Sequence, residues 1–90
     1  MAVKAQTVTL VANTAQAITL TAHEDERHVD VTVHSAAVVY VRTDATTPVV
    51  GADENFAVVG PGFKRFRMPG AGIVRIISSG TPVVTVSAVA

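Results

Sequence analysis

Apolar and polar residues alternate along most of this 90-residue chain, and that alternation restricts its fold more than any other feature. In Val29-Asp30-Val31-Thr32-Val33-His34 every second side chain is apolar, the period of a strand with one buried face. Val8, Leu10 and Ala12 alternate with Thr7 and Thr9, Ile18 and Leu20 with Thr19 and Thr21, and Val39 and Val41 with Tyr40 and Arg42. Valine occurs 18 times and threonine 11 times, against two leucines. Such β-branched side chains lose freedom in a helix and fit a pleated surface. Shorter runs follow at Phe56 to Val59, Phe63 to Met68, Ile73 to Ser78 and Val83 to Val89, divided by Gly60-Pro61-Gly62, Pro69-Gly70-Ala71-Gly72 and Ser79-Gly80-Thr81-Pro82. About seven or eight short strands, spaced roughly 8–12 residues apart, predict an all-β fold: a small antiparallel β-sandwich or barrel, jelly-roll-like among the options.

A chain of this length makes one domain, residues 1–90, in which 1–7 reads as a mobile arm or edge strand. A domain this small buries only roughly 60–65% of the surface its unfolded chain exposes. It contains no cysteine, so no disulfide reinforces it. Hydrophobic residues make up 49% and mean hydropathy is +0.44, yet charged residues are only 16%. Ordinary soluble domains carry about 25% charge, so part of this surface is expected to be covered by another chain. Seven basic and seven acidic residues balance, which argues against a general nucleic-acid coat. No apolar run approaches the about 20 residues that a membrane helix needs. The stretch before Ala15-Gln16-Ala17 is too polar for a secretion leader, so synthesis in the cytoplasm without a leader of its own is expected.

The ionisable residues offer several chemistries, each with a plainer explanation. His28, Asp30 and His34 share one side of a strand and could ligate zinc or nickel, but their spacing matches no established site, and a solvated polar face explains them. Asp44, Asp53, Glu54 and Asn55 could offer oxygens to calcium, but without the spacing of a calcium loop; turn formation by acid and amide side chains explains them. No G-x-S-x-G elbow and no phosphate loop occur, so no catalytic residue is assigned and the chain is not read as an enzyme. Lys64, Arg65 and Arg67, interleaved with Phe63 and Phe66, form the best nucleic-acid candidate. Phe66 has core parity with Met68, however, and Glu24, Asp25, Glu26, Asp53 and Glu54 balance the cluster. Opposite-sign patches of this kind suit pairing of identical subunits or docking on a charged scaffold.

The segment "VYVRTDATTPVVGADEN", followed by "VVGPGFKRFRMPGAGIVRIISSGTPVVTVSAVA", resembles small all-β virion proteins of tailed bacteriophages, the head decoration or cement proteins. The resemblance runs over about Val38 to Val89 and rests on a V-Y-V-R-x-D strand, a threonine- and proline-containing turn, an acid-asparagine pair, a glycine-bounded hairpin and an I-S-S-G-x-x-V-x-V ending. It implies a compact domain that assembles, often as a trimer, on the outer capsid surface and strengthens the head by bridging copies of the major capsid protein. No cofactor, nucleic acid or membrane is implied, and the location would be the virion surface. Tyr40, Arg42, Lys64, Arg65, Arg67 and Arg75 are the residues expected to meet a partner, since tyrosine and arginine are enriched at interface centres. A tail, collar or fibre-base component of the same particle is the nearest alternative. A small carbohydrate- or ligand-binding module is a further one, disfavoured by the absence of tryptophan.

Overall fold

The computed structural model describes residues 4–21, 27–44, 46–51 and 56–89. Each alternating segment forms a strand: β1 (Ala5–Thr9), β2 (Gln16–Thr19), β3 (His28–Val33), β4 (Val38–Arg42), β5 (Phe56–Val59), β6 (Gly62–Arg67), β7 (Ile73–Ser78) and β8 (Val83–Val89). They make two four-stranded antiparallel sheets, in the orders β1-β8-β3-β6 and β2-β7-β4-β5. The expectation of an all-β sandwich holds, and its barrel alternative does not. Strands β5 and β6 are consecutive, yet each ends a different sheet with no ladder joining them. Between them the chain crosses from one sheet to the other within Gly60-Pro61, where proline offers no N–H for continued pairing.

The alternation read from the sequence decides what lies between the sheets. Val29, Val31, Val33, Val84 and Val86 point inward from the first sheet and meet Ile18, Val39, Val41, Val74 and Ile76 of the second, all essentially inaccessible to water. Leu10 and Leu20, each just beyond a strand, add to the same core. Burial of one such side chain is worth about 1.5–3 kcal/mol. Ala12 departs from the expected pattern: β1 ends at Thr9 and Ala12 is exposed in a turn in which Thr14 N donates to Val11 O. His28 opens β3 opposite Arg67 and Val89. Ala5 to Thr7 belong to β1 at the edge of the first sheet, so that part of the expected arm is an edge strand; residues 1–3 lie outside the described residues.

Successive strands alternate in direction. The connections 10–15, 34–37, 60–61 and 79–82 therefore gather at one end of the sandwich. Backbone hydrogen bonds tie this end together, from Leu10 N to Pro82 O, Asn13 N to Ser78 O, His34 N to Val83 O and Gly60 N to Ala37 O. Buried Ser78 adds another, its hydroxyl donating to Val38 O at 2.7 Å and accepting from Gly80 N at 3.3 Å. Gly60 is needed for the close approach here, because a Cβ on it would lie 2.1 Å from Ser35 O and 2.6 Å from Val33 Cγ1.

Two stability outcomes follow from this packing. Ile76→Ala should lower the free energy of unfolding by about 2–5 kcal/mol in urea titrations, a large share of the about 5–15 kcal/mol typical of a domain. Gly60→Ala should cost about 1–3 kcal/mol through overpacking. Gly70→Ala, whose added Cβ would meet nothing within 4 Å, should be nearly neutral; equal effects at the two glycines would refute this account of the crossing.

Candidate functional site

Tyr40 and Arg42 occupy the outer face of the second sheet, as parity predicts. Tyr40 lies in register with Ala57 on β5 and Ile77 on β7, and Arg42 with Arg75 on β7. Ile77 is buried although it points away from the inter-sheet core, so Tyr40 belongs to an apolar strip rather than standing alone in water. Directly opposed arginines repel one another. Asp44 answers Arg42: its Oδ1 accepts from Arg42 Nε at 3.0 Å and from Thr46 N at 3.2 Å, and its Oδ2 accepts from Arg42 Nη2. Both carboxylate oxygens are thus engaged in an ion pair and a turn, the plainer of the two roles weighed for this residue. Asp53, Glu54 and Asn55 lie outside the described residues.

The basic cluster of β6 lies on the other sheet. Arg65 and Arg67 share its outer face with Phe63, opposite Asp30, His28 and Thr32 respectively. Arg65 is already occupied, its Nε and Nη2 donating to Asp30 Oδ1 and Oδ2 at 2.7 and 3.1 Å, and Asp30 pushes the guanidinium pKa further up. Such a forked pair fixes geometry as well as charge. Lys64 has the opposite parity, in register with Val31, but remains exposed because β6 is the sheet edge. Phe66 is buried in the core, as its parity predicts. Among the described residues Arg67, Arg75, Lys64 and Arg27 make no ion pair.

The metal constellation is not assembled. Asp30 is taken by Arg65, and His34 Nε2 lies 2.8 Å from Thr85 Oγ1, which in turn lies 2.9 Å from Thr7 Oγ1. His28 Nδ1 is buried without a hydrogen-bond partner among the described residues. No group of three His, Cys, Asp or Glu side chains that could hold a metal occurs among them. Nor does any helix among them have the length and apolarity to cross a membrane.

The six residues expected to face a partner therefore split, with Tyr40, Arg42 and Arg75 on one sheet and Lys64, Arg65 and Arg67 on the other. They are linked around the flank by Thr43, which lines a cleft of about 220 Å³ with Asp44, Ile73 and Arg75 and another of about 360 Å³ with Lys64, Arg65 and Arg67. The sequence reading missed a second surface. The four connections 10–15, 34–37, 60–61 and 79–82 contain no Asp, Glu, Lys or Arg. Around that end stand Val59 (69% exposed), Phe63 (63%), Val11 (61%), Val83 (39%) and Val38 (37%). Of the large apolar side chains exposed among the described residues, only Val49 lies elsewhere, in the connection after β4. The signal present in the sequence was the lack of charge in these four turns, but nothing in the sequence brought them together. No protein-family model matches the chain, and neither does any curated protein or solved structure.

The Arg42–Asp44 pair generates a pH dependence. Hydrogen bonding from Arg42 holds the Asp44 carboxyl well below its ordinary value near 3.8, aided by the Thr46 N–H. A carboxylate with a depressed folded-state pKa contributes stability in full above the unfolded value and loses it as pH falls towards the folded one. Asp44→Asn should therefore be less stable than the parent at neutral pH and lose less stability on acidification below about pH 4. Chemical denaturation at a series of pH values checks this, and parallel curves for the two proteins would show that the pair contributes nothing.

Proposed function

We propose that this chain is a non-enzymatic structural protein of a tailed-phage virion, which self-associates as a trimer and binds the outer capsid surface to stabilise the head. The observation that carries the reading is the segregation of charge. Every Asp, Glu, Lys and Arg of the sequence lies within a strand or outside the four connections of one end, and that end presents neutral, apolar surface instead. A domain with one charge-free end and an opposite charged region is suited to joining two different surfaces, the task of a protein that bridges subunits. Strand orders β1-β8-β3-β6 and β2-β7-β4-β5 correspond to a jelly roll, an architecture used by viral shell proteins and lectins, so this analogy supports the class without fixing the function. The phage-protein resemblance of residues 38–89 points the same way. In this reading the chain is made in the host cytoplasm, works on the virion surface with the major capsid protein as partner, and uses no cofactor, nucleic acid or membrane. The lectin-like alternative is weaker, because Phe63 is the only exposed large aromatic side chain among the described residues.

Quantitative mass spectrometry of purified particles tests the proposal. A fixed simple ratio to the major capsid protein is expected; a few copies per particle would move the chain to the tail or neck, and absence would retire the virion reading. Within it, Arg67 and Arg75 are the two expected contact arginines that make no ion pair among the described residues. Replacing both with alanine should weaken co-sedimentation with undecorated heads by about tenfold or more, with the wild-type affinity falling as salt rises. Unchanged binding by the folded double variant would remove the charged flank from the contact.

A further inference from the structure

We propose that the cleft where β3 begins and β6 ends is a binding site for a phosphate dianion, free or borne on a small organic molecule, with Arg27 and Arg67 as the groups that hold it. The site does not depend on the assembly role above. Arg27, His28, Arg65, Phe66 and Arg67 line this cleft, whose volume is about 500 Å³. Clefts of about 300–1,000 Å³ suit small organic ligands, so there is room for the body of a phosphate ester as well as for the phosphate itself. The fold fixes the cations that surround it. His28 pairs with Arg67, and Asp30 with Arg65, across the ladder between β3 and β6. Arg27 continues β3 backwards by one residue: its N–H donates to Val89 O at 3.1 Å and its carbonyl accepts from Met68 N at 3.0 Å. Arg27 and Arg67 are thereby anchored on adjacent strands, one register position apart.

Charge selects the ligand. Asp30 grips Arg65 through Nε and Nη2, so that guanidinium is both neutralised and held still. Arg27 and Arg67 are exposed and make no ion pair among the described residues. Lone arginines in water are ordinary, but two uncompensated ones in one concave cleft repel each other until an anion enters. A guanidinium presents paired N–H donors in one plane, which match two oxygens of a phosphate, and it is less strongly hydrated than an ammonium. Two such forks balance a dianion, whereas a single carboxylate would balance only one of them. The histidine supplies an independent sign of a ligand. His28 Nδ1 is buried without a hydrogen-bond partner among the described residues, although buried polar atoms are nearly always paired. The described groups of the protein therefore leave this wall of the cleft incomplete.

Nuclear magnetic resonance of the isotope-labelled chain tests this, with inorganic phosphate and, separately, phenyl phosphate titrated in at constant ionic strength. The Nε–H signals of Arg27 and Arg67 and the backbone amides of residues 27–28 and 65–67 should shift saturably, while the Nε–H signal of Arg75, on the other sheet, should not. Acetate should bind at least about tenfold more weakly, because it carries one charge. Replacing both Arg27→Gln and Arg67→Gln should weaken phosphate binding by about tenfold or more, whereas Arg75→Gln should leave it unchanged. The signals are read on the folded wild type, so the test stands even where the double variant fails to fold. Tighter binding of phenyl phosphate than of inorganic phosphate would assign the site to an organic phosphate, and equal binding would assign it to the free ion; either upholds the site. The absence of a saturable shift, shifts spread equally over all arginines, or an equal response to acetate would each overturn the proposal.

Discussion

The contact between the two inner faces, valines from one sheet against valines and isoleucines from the other, is the interaction on which the remaining structure depends. Ninety residues without a cysteine have no covalent reinforcement, and a domain of this size has little core to spare. Valine suits the task because its branched Cβ fills a pleated surface with few rotamers to lose. Side chains from both inner faces fill the space between the sheets, so each inward position is covered by the opposite sheet. Residues at the margins, such as Phe66 and Ala88, close the layer and retain slight exposure.

Once the sheets face each other, the direction of each strand fixes where each connection lies. The chain passes between sheets at 10–15, 34–37, 60–61 and 79–82 on one end, and these short turns pack tightly enough that Gly60 approaches the Ser35 carbonyl. Short, hydrogen-bonded turns there need no charged side chain to remain ordered, because Ser78 and the backbone groups of Leu10, Asn13, His34 and Gly60 supply the contacts. Longer connections and the basic strand residues take the charge. The resulting polarity belongs to the fold as a whole, and it distinguishes a surface for apolar contact from one for electrostatic contact.

Local pairing then narrows which charged residues remain available to a partner. Asp30 occupies Arg65 and Asp44 occupies Arg42, so two of the expected contact residues serve the protein's own surface. Such exposed pairs contribute modestly to stability but orient their side chains firmly. Tyr40, beside the buried Ile77, supports an apolar strip on the outer face. Arg67 and Arg75 remain without an ion pair among the described residues, and they lie on different sheets.

The sequence alone determined the strands, their inward residues and the outward direction of Tyr40, Arg42, Arg65 and Arg67, because a period of two is a local property of extended backbone. It also announced Phe66 as core through parity with the apolar positions of its strand. It was misleading at Ala12, where alternation continued past the hydrogen-bonded end of β1. Tertiary structure decided which strands became neighbours, that the sheets stay open, and that Asp30 meets Arg65 across 35 positions of sequence. It alone gathered Val11, Val38, Val59, Phe63 and Val83 at one end. Alternation tells each residue which face it takes, but pairing between distant strands sets its position within the sandwich, and a surface assembled from four separate turns exists only after that pairing is made.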